Sequence, residues 1–210
     1  RTLSLVKTPF SAMEVSSHSL ELHRVTSLKF DAAAFTNLTR DHLDFHGTME
    51  KYYEAKRKLF DLVKPGGASV INIEDNYGVR LASEMDGKKV IKVGSSAPAD
   101  IRPGNIEMSI AGIRGTALTP FGDLVIDSPL VGRYNLFNIL TAAGVALSMG
   151  ISREAAALGI SKTLGIPGRL ERVDAGQEFS VFVDYAHTDD ALKNLLSNLK
   201  PLIKGRLITV

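Results

Sequence analysis

Short apolar runs alternate with amphipathic stretches along the first part of the chain. Residues 12–15, 32–35, 69–73 and 90–93 have the length and the apolar content of buried strands, and the segments between them, at 17–24, 48–62 and 76–86, repeat their apolar positions at helical spacing. That alternation predicts an α/β fold with a largely parallel sheet. From 106 to 126 the period shortens to two and Gly112, Gly115 and Gly122 punctuate it, which predicts an appended segment of antiparallel strands joined by tight turns. Residues 134–149 are apolar nearly all round, as in a buried helix, and Ser152 is placed to cap the helix that follows. The turn-rich stretch Gly165-Ile166-Pro167-Gly168 marks a change of texture, so the chain divides into residues 1–168 and 169–210. Past that boundary a strand at 179–183, a helix at 188–199 and a strand at 207–210 read as the opening of a βαβ unit. No internal repeat or low-complexity segment is visible.

Composition narrows the chemistry without naming it. At 210 residues and 44% hydrophobic, the chain can bury one core and begin a second. The net charge of +2 comes from 25 basic and 23 acidic residues with no long run of one sign, so neither nucleic acid nor a membrane is expected as a partner. The absence of cysteine excludes disulfides and thiolate metal sites and fits a cytoplasmic setting. Residues 1–7 lack the pattern of a signal peptide, and the longest apolar stretch, 139–149, is too short to span a bilayer.

Lys56 is the residue most out of place. On a helix over 48–62 the apolar stripe comprises Met49, Tyr52, Tyr53, Leu59, Phe60 and Val63, and Lys56 falls in its middle. One explanation is snorkelling, with the stem packed and the ammonium in water. The other is a desolvated amine of depressed pKa, able to add carbon dioxide and become an anionic carbamate. The loop after the strand at 32–35 carries His42, Asp44 and His46 at two-residue spacing. These are either metal ligands or a hydrogen-bonded loop that leads into the helix at Thr48. Glu14, an acid inside an apparent buried strand, is either paired or functional.

Several stretches together resemble the Mur ligase family: Glu14-Val15-Ser16-Ser17-His18, Asp41-His42-Leu43-Asp44-Phe45-His46-Gly47, Tyr53-Glu54-Ala55-Lys56, Gly132-Arg133-Tyr134-Asn135-Leu136-Phe137-Asn138, Gly168-Arg169-Leu170-Glu171 and Asp184-Tyr185-Ala186-His187-Thr188. The resemblance runs in the family's order from about residue 11 onward. It implies the P-loop-type, mostly parallel sheet of the family's central ATP-binding domain, followed by the start of a Rossmann-like C-terminal domain. It also implies that Lys56 is the carbamylated lysine and that Glu14, His42 and Lys56 hold Mg2+ at the catalytic centre. On the ATP side it implies that Asn135 and Asn138 face the adenine, Arg169 the phosphates and Asp184 the ribose, with Tyr185 and His187 beside them. Ser16 and Arg24 match positions that touch the muramoyl-peptide. His18, His23 and His46 are left with structural roles.

The activity implied is ATP-dependent amide-bond formation in peptidoglycan precursor synthesis. The acceptor is UDP-N-acetylmuramoyl-L-alanyl-D-glutamate, activated as an acyl phosphate, and the nucleophile is a diamino acid, most often meso-diaminopimelate. No Gly-x-x-x-x-Gly-Lys-[Ser/Thr] stretch occurs in these residues, so the 210 residues alone are expected to be inactive. Three rival readings remain: a folylpolyglutamate synthase-like ligase, a metal hydrolase built on His42, Asp44 and His46, and a nucleotide-binding module without catalysis.

Overall fold

A computed structural model describes residues 9–210, so the expectation for residues 1–7 lies outside the described residues. Strands β1 (Phe30–Phe35), β2 (Val63–Asn72) and β3 (Lys89–Val93) form a parallel sheet in the order β1-β2-β3. Parallel neighbours need crossovers. The first is made by α2 (Leu43–His46), α3 (Met49–Arg57) and a 3-10 turn over Lys58–Leu62, and the second by α4 (Asn76–Ser83). Short α1 (Ser17–Glu21) precedes β1.

Both faces of the sheet are covered, which is why its strands read as apolar runs rather than alternating ones. On one face Phe35 and Ile71 pack with Tyr53, Phe60 and Leu81 from the crossovers. On the other, Val70, Ile91 and Val93 meet Leu136, Leu140 and Ala143 of α5 (Arg133–Ser148). The same core takes in Ile113, Leu124 and Ile126 from the antiparallel sheet of β4 (Arg102–Ser109), β5 (Gly112–Leu118) and β6 (Leu124–Ser128). Ser152 caps α6 (Arg153–Lys162) as expected, its hydroxyl accepting from Ala155 N–H at 3.2 Å.

Three expectations are corrected. Residues 12–15 form no strand: among the described residues nothing pairs with them, and Ala12, Met13 and Glu14 lie exposed in an extended lead-in to α1. β2 begins at Val63 rather than 69, because a bulge between the Phe30↔Val63 and Ala32↔Ala68 pairs absorbs Pro65-Gly66-Gly67, which in sequence reads as a break. After residue 168 the expected strand and helix form, but among the described residues the second strand of the βαβ opening does not. β7 (Glu171–Val173) and β8 (Val181–Val183) instead pair antiparallel, α7 (Asp189–Leu199) follows, and 207–210 finds no neighbour to complete a strand. Leu170 and Leu199 from this segment bury against Val131 at the head of α5, with Tyr134 and Phe182 beside them.

Candidate functional site

The loop leaving β1 is held at two points. Asn72 Nδ2 donates to the Thr36 carbonyl at 2.8 Å, and Leu38 N–H donates to Asp75 Oδ2 at 3.0 Å. Three residues on, Asp41 Oδ1 accepts from His42 N–H at 2.7 Å, and His42 adopts a left-handed backbone (φ 53, ψ 26) as the residue preceding α2. For a non-glycine residue that conformation costs about 1–2 kcal/mol, so the surroundings must hold it.

Opposite this loop stands α3, capped by Thr48, whose Oγ1 accepts from Lys51 N–H at 3.2 Å. Tyr52 and Lys56, one turn apart, face the loop. The Tyr52 ring stacks on His46 (centroids 4.8 Å) and meets His42 edge-on (5.9 Å), while Lys56 Nζ lies 5.4 Å from the same ring. Burial pushes the Lys56 amine below its ordinary pKa, and the charges of Glu14 and Asp41 pull it partly back. Lys56 is half-buried, so its amine is neither freely solvated nor closely ion-paired among the described residues.

The far face of α3 carries a polar brace. Tyr53, 1% exposed, donates its hydroxyl to Glu84 Oε2 at 2.8 Å. Arg80 lies over the Tyr53 ring at 4.2 Å, grips both oxygens of Glu50 at 2.7 Å each, and reaches Glu84 Oε1 at 2.8 Å. Arg57 adds a bond to Glu84 Oε2 at 3.1 Å. The two faces of α3 thus fix its rotation and aim Lys56 at the loop.

The His-x-Asp-x-His reading fails as a ligand triad. Residues 43–46 form a helical turn, and alternate residues on a helix point nearly opposite ways. His46 is buried, Nε2 pairs with Ser17 Oγ at 2.9 Å, and its pKa is pushed down by burial first and then by the neighbouring His18. Asp44 faces solvent. Among the described residues no group of three or more His, Asp or Glu side chains is arranged to hold a metal. Magnesium does not require such a cage: it takes one or two carboxylates, keeps waters and shares oxygens with a substrate phosphate. Glu14 and Asp41, which both act on the Lys56 charge, fit that smaller donor set. Ser16 caps α1, accepting from Ser19 N–H at 3.1 Å, and Arg24 is exposed.

The residues expected on the nucleotide side gather at the head of α5 and the turn after β8. Asn135 is buried and spends its Nδ2 on the Val131 carbonyl at 2.8 Å, whereas Asn138 is exposed one turn along. Asp184 accepts from Leu170 N–H and Ala186 N–H, each at 2.8 Å, and so supports Leu170 at φ 45. Arg169 lies over the Tyr185 ring at 5.7 Å, and the His187 ring meets Tyr185 edge-on at 4.9 Å. Sequence reasoning missed Tyr134. Its hydroxyl is buried with no hydrogen-bond partner among the described residues, and its pKa is raised by burial and then by the Asp184 charge. Its place in the Gly132–Asn138 stretch was the available signal.

Comparison with known proteins gives concordant matches. Residues 2–146 match the family profile described as "Mur ligase middle domain", which extends the likeness to nearly the start of the chain. A UDP-N-acetylmuramoyl-L-alanyl-D-glutamate--2,6-diaminopimelate ligase of Geobacter metallireducens is 47% identical over 204 residues, covering 94% of this chain and 40% of that protein. A solved structure of a ligase of the same name superposes with a TM-score of 0.77 at 32% identity, over 93% of this chain and 41% of the other. The apo form of L. casei FPGS superposes with a TM-score of 0.66 at 19% identity over 83% of this chain, a likeness of fold alone. The chain spans about 40% of the length of the curated relative. Among the described residues no helix is long and apolar enough to cross a membrane.

Proposed function

The chain belongs to the Mur ligase family, and on that premise we propose that it supplies the Mg2+- and ATP-handling residues of a ligase joining meso-2,6-diaminopimelate to UDP-N-acetylmuramoyl-L-alanyl-D-glutamate. The observation that carries the proposal is Lys56, a half-buried lysine whose amine burial keeps closer to neutrality than a solvated one. A neutral amine adds carbon dioxide, forming the N–C bond and releasing one proton, and the product is a carbamate at the end of a long arm. With Glu14, His42 and Asp41 around it, that carbamate completes an oxygen-rich donor set. Magnesium bound there would offset the negative charge of the phosphate oxygens during transfer.

The remaining roles fall to the chain's own side chains. Asn138 offers an exposed amide to the adenine edge, with Asn135 behind it shaping the helix end. Arg169 presents a guanidinium suited to phosphate. Asp184 uses one lone pair of each oxygen on backbone N–H groups and keeps the others for ribose hydroxyls. Ser16 and Arg24, on the segment around α1, meet the acceptor. In the reaction the D-glutamyl carboxylate takes the terminal phosphoryl group of ATP as ADP leaves. The diamino acid's amine then displaces phosphate and loses a proton. We place the 169–210 segment at the opening of a second domain.

The test is carbon-13 NMR in labelled bicarbonate beside a ligation assay with diaminopimelate, both run on a chain that also carries the Gly-x-x-x-x-Gly-Lys-[Ser/Thr] loop, because these 210 residues alone are expected to be inactive. A carbamate resonance is expected that is missing from Lys56→Met, together with loss of ligation in that variant. Because carbon dioxide reacts with the neutral amine, the resonance should grow as pH rises through the depressed pKa of Lys56 and vanish on acidification. An unmodified Lys56 in an active ligase would overturn the proposal.

A further inference from the structure

Asp75 does more than a helix cap requires. Its Oδ1 accepts from Tyr77 N–H (2.8 Å) and Gly78 N–H (3.2 Å), which satisfies the start of α4. A cap needs no second oxygen, yet Oδ2 accepts from Leu38 N–H at 3.0 Å, 37 residues back along the chain. Asn72, the last residue of β2, follows the same design. Its Oδ1 holds its own turn by accepting from Glu74 N–H (3.0 Å), and its Nδ2 reaches out to the Thr36 carbonyl (2.8 Å). Residues 36–38 are therefore gripped through a carbonyl and an N–H by one side chain at the end of β2 and one at the start of α4, and Leu38 is itself 4% exposed.

The gripped segment leads directly to Asp41 and His42. His42 holds a left-handed backbone that it would not keep unaided, and Asp41 both bonds its N–H and acts on the Lys56 charge. The loop's position relative to Lys56 is consequently set at its root, by the connection from β2 to α4, rather than at its tip. We propose that Asp75 is a positioning residue: through Leu38 it fixes the loop so that Asp41 and His42 confront Lys56. This rests on the reading above that these residues form the metal and phosphate centre.

Asp75→Ser separates the two tasks. Serine is as good an N-cap as aspartate, but its one short hydroxyl cannot also serve Leu38. Asp75→Asn keeps the bulk and one acceptor, and guards against loss of fold in the serine variant. Hydrogen exchange at Leu38 is expected to accelerate by about tenfold or more in Asp75→Ser, as for loss of a charge-assisted bond, with Gly78 nearly unchanged. His42 should lose the strong intraresidue HN–Hα NOE of a positive φ. Mn2+, followed by paramagnetic broadening of the His42 ring signals, should bind more weakly by about fivefold or more, a loss near 1 kcal/mol. The Mg2+ concentration for half-maximal ligation should rise in parallel while KM for the acceptor holds. Faster exchange at Leu38 with His42 geometry and Mn2+ affinity intact would overturn the proposal. If Mn2+ does not bind and a chain that also carries the phosphate-binding loop does not ligate, the functional reading fails instead, and the positioning claim is then decided by the His42 NOE alone: its survival in Asp75→Ser overturns that claim too.

Discussion

Gly78 sets helix propensity against packing, and the two predict opposite signs. It lies in the first turn of α4, where replacing glycine by alanine ordinarily gains about 1 kcal/mol. Here a Cβ would overlap the Asn72 carbonyl oxygen and lie 3.0 Å from its carbon. That carbonyl belongs to β2, which is paired on both sides, so it cannot yield. With an ordinary C···O approach of about 3.3 Å, α4 must retreat by roughly 1 Å or more. Overpacking of this kind costs about 1–3 kcal/mol, and stretching the bonds from Tyr77 and Gly78 to Asp75 adds about 1 kcal/mol. Gly78→Ala should therefore destabilise by about 1–3 kcal/mol net of the propensity gain. Two other helical glycines act as controls. Gly159 has nothing within 4 Å of its Cβ position, so Gly159→Ala should stabilise by about 0.5–1 kcal/mol. Gly144 faces side-chain methyls rather than backbone, Val70 Cγ1 at 2.9 Å and Ile101 Cδ1 at 3.0 Å, so its variant should fall between the other two. Urea unfolding midpoints at constant slope give the ranking. A Gly78→Ala protein as stable as the parent would refute the claim that α4 sits hard against β2.

Other perturbations test the brace and the turn after β8. Tyr53→Phe should cost about 1–2 kcal/mol in urea unfolding, because Glu84 keeps Arg80 and Arg57 while losing one donor. Burial works to raise the Glu84 carboxyl, but Arg80, Tyr53 and Arg57 together hold it below its ordinary value. Its contribution to stability is thus complete above the ordinary carboxylate pKa and fades as pH falls through the depressed one, so Arg80→Met should flatten the acid limb of the midpoint-against-pH curve. Asp184→Ala removes the acceptors of Leu170 N–H and Ala186 N–H. It should speed proteolysis between 165 and 188 while amide exchange in β1, β2 and β3 stays unchanged.

The sheet and its crossovers were legible because their apolar periods are local. Lys56 stood out for the same reason: a charged residue in the middle of an apolar stripe is visible without any partner. What sequence hides is the partner itself. Residues 12–15 and 207–210 have strand composition, yet a strand exists only if another chain segment takes its hydrogen bonds, and none does so among the described residues. The bulge in β2 was invisible because Pro65-Gly66-Gly67 signals a turn unless the neighbouring strand can skip residues to match it. Asp75 reads from sequence as an ordinary cap, and its bond to Leu38 spans too much chain for any local pattern to reveal. The spacing of His42, Asp44 and His46 left two readings open in sequence, since two-residue spacing converges on one face only in a strand, whereas Leu43–His46 make a helical turn that buries His46, in keeping with the structural role left to it.

The two-sided hold on α3 has a further consequence for how the chain tolerates changes of length. One inserted residue within Met49–Arg57 would rotate everything after it by about 100°, swinging Lys56 away from the loop and Arg57 away from Glu84 together. Substitutions there can be absorbed singly, but insertions and deletions cannot. The exposed turns at 119–123 and 174–178, whose hydrogen bonds are largely internal, offer no such resistance. Graded insertion scanning should therefore map a length-intolerant segment from Thr48 to Leu62, set between stretches where the chain can grow.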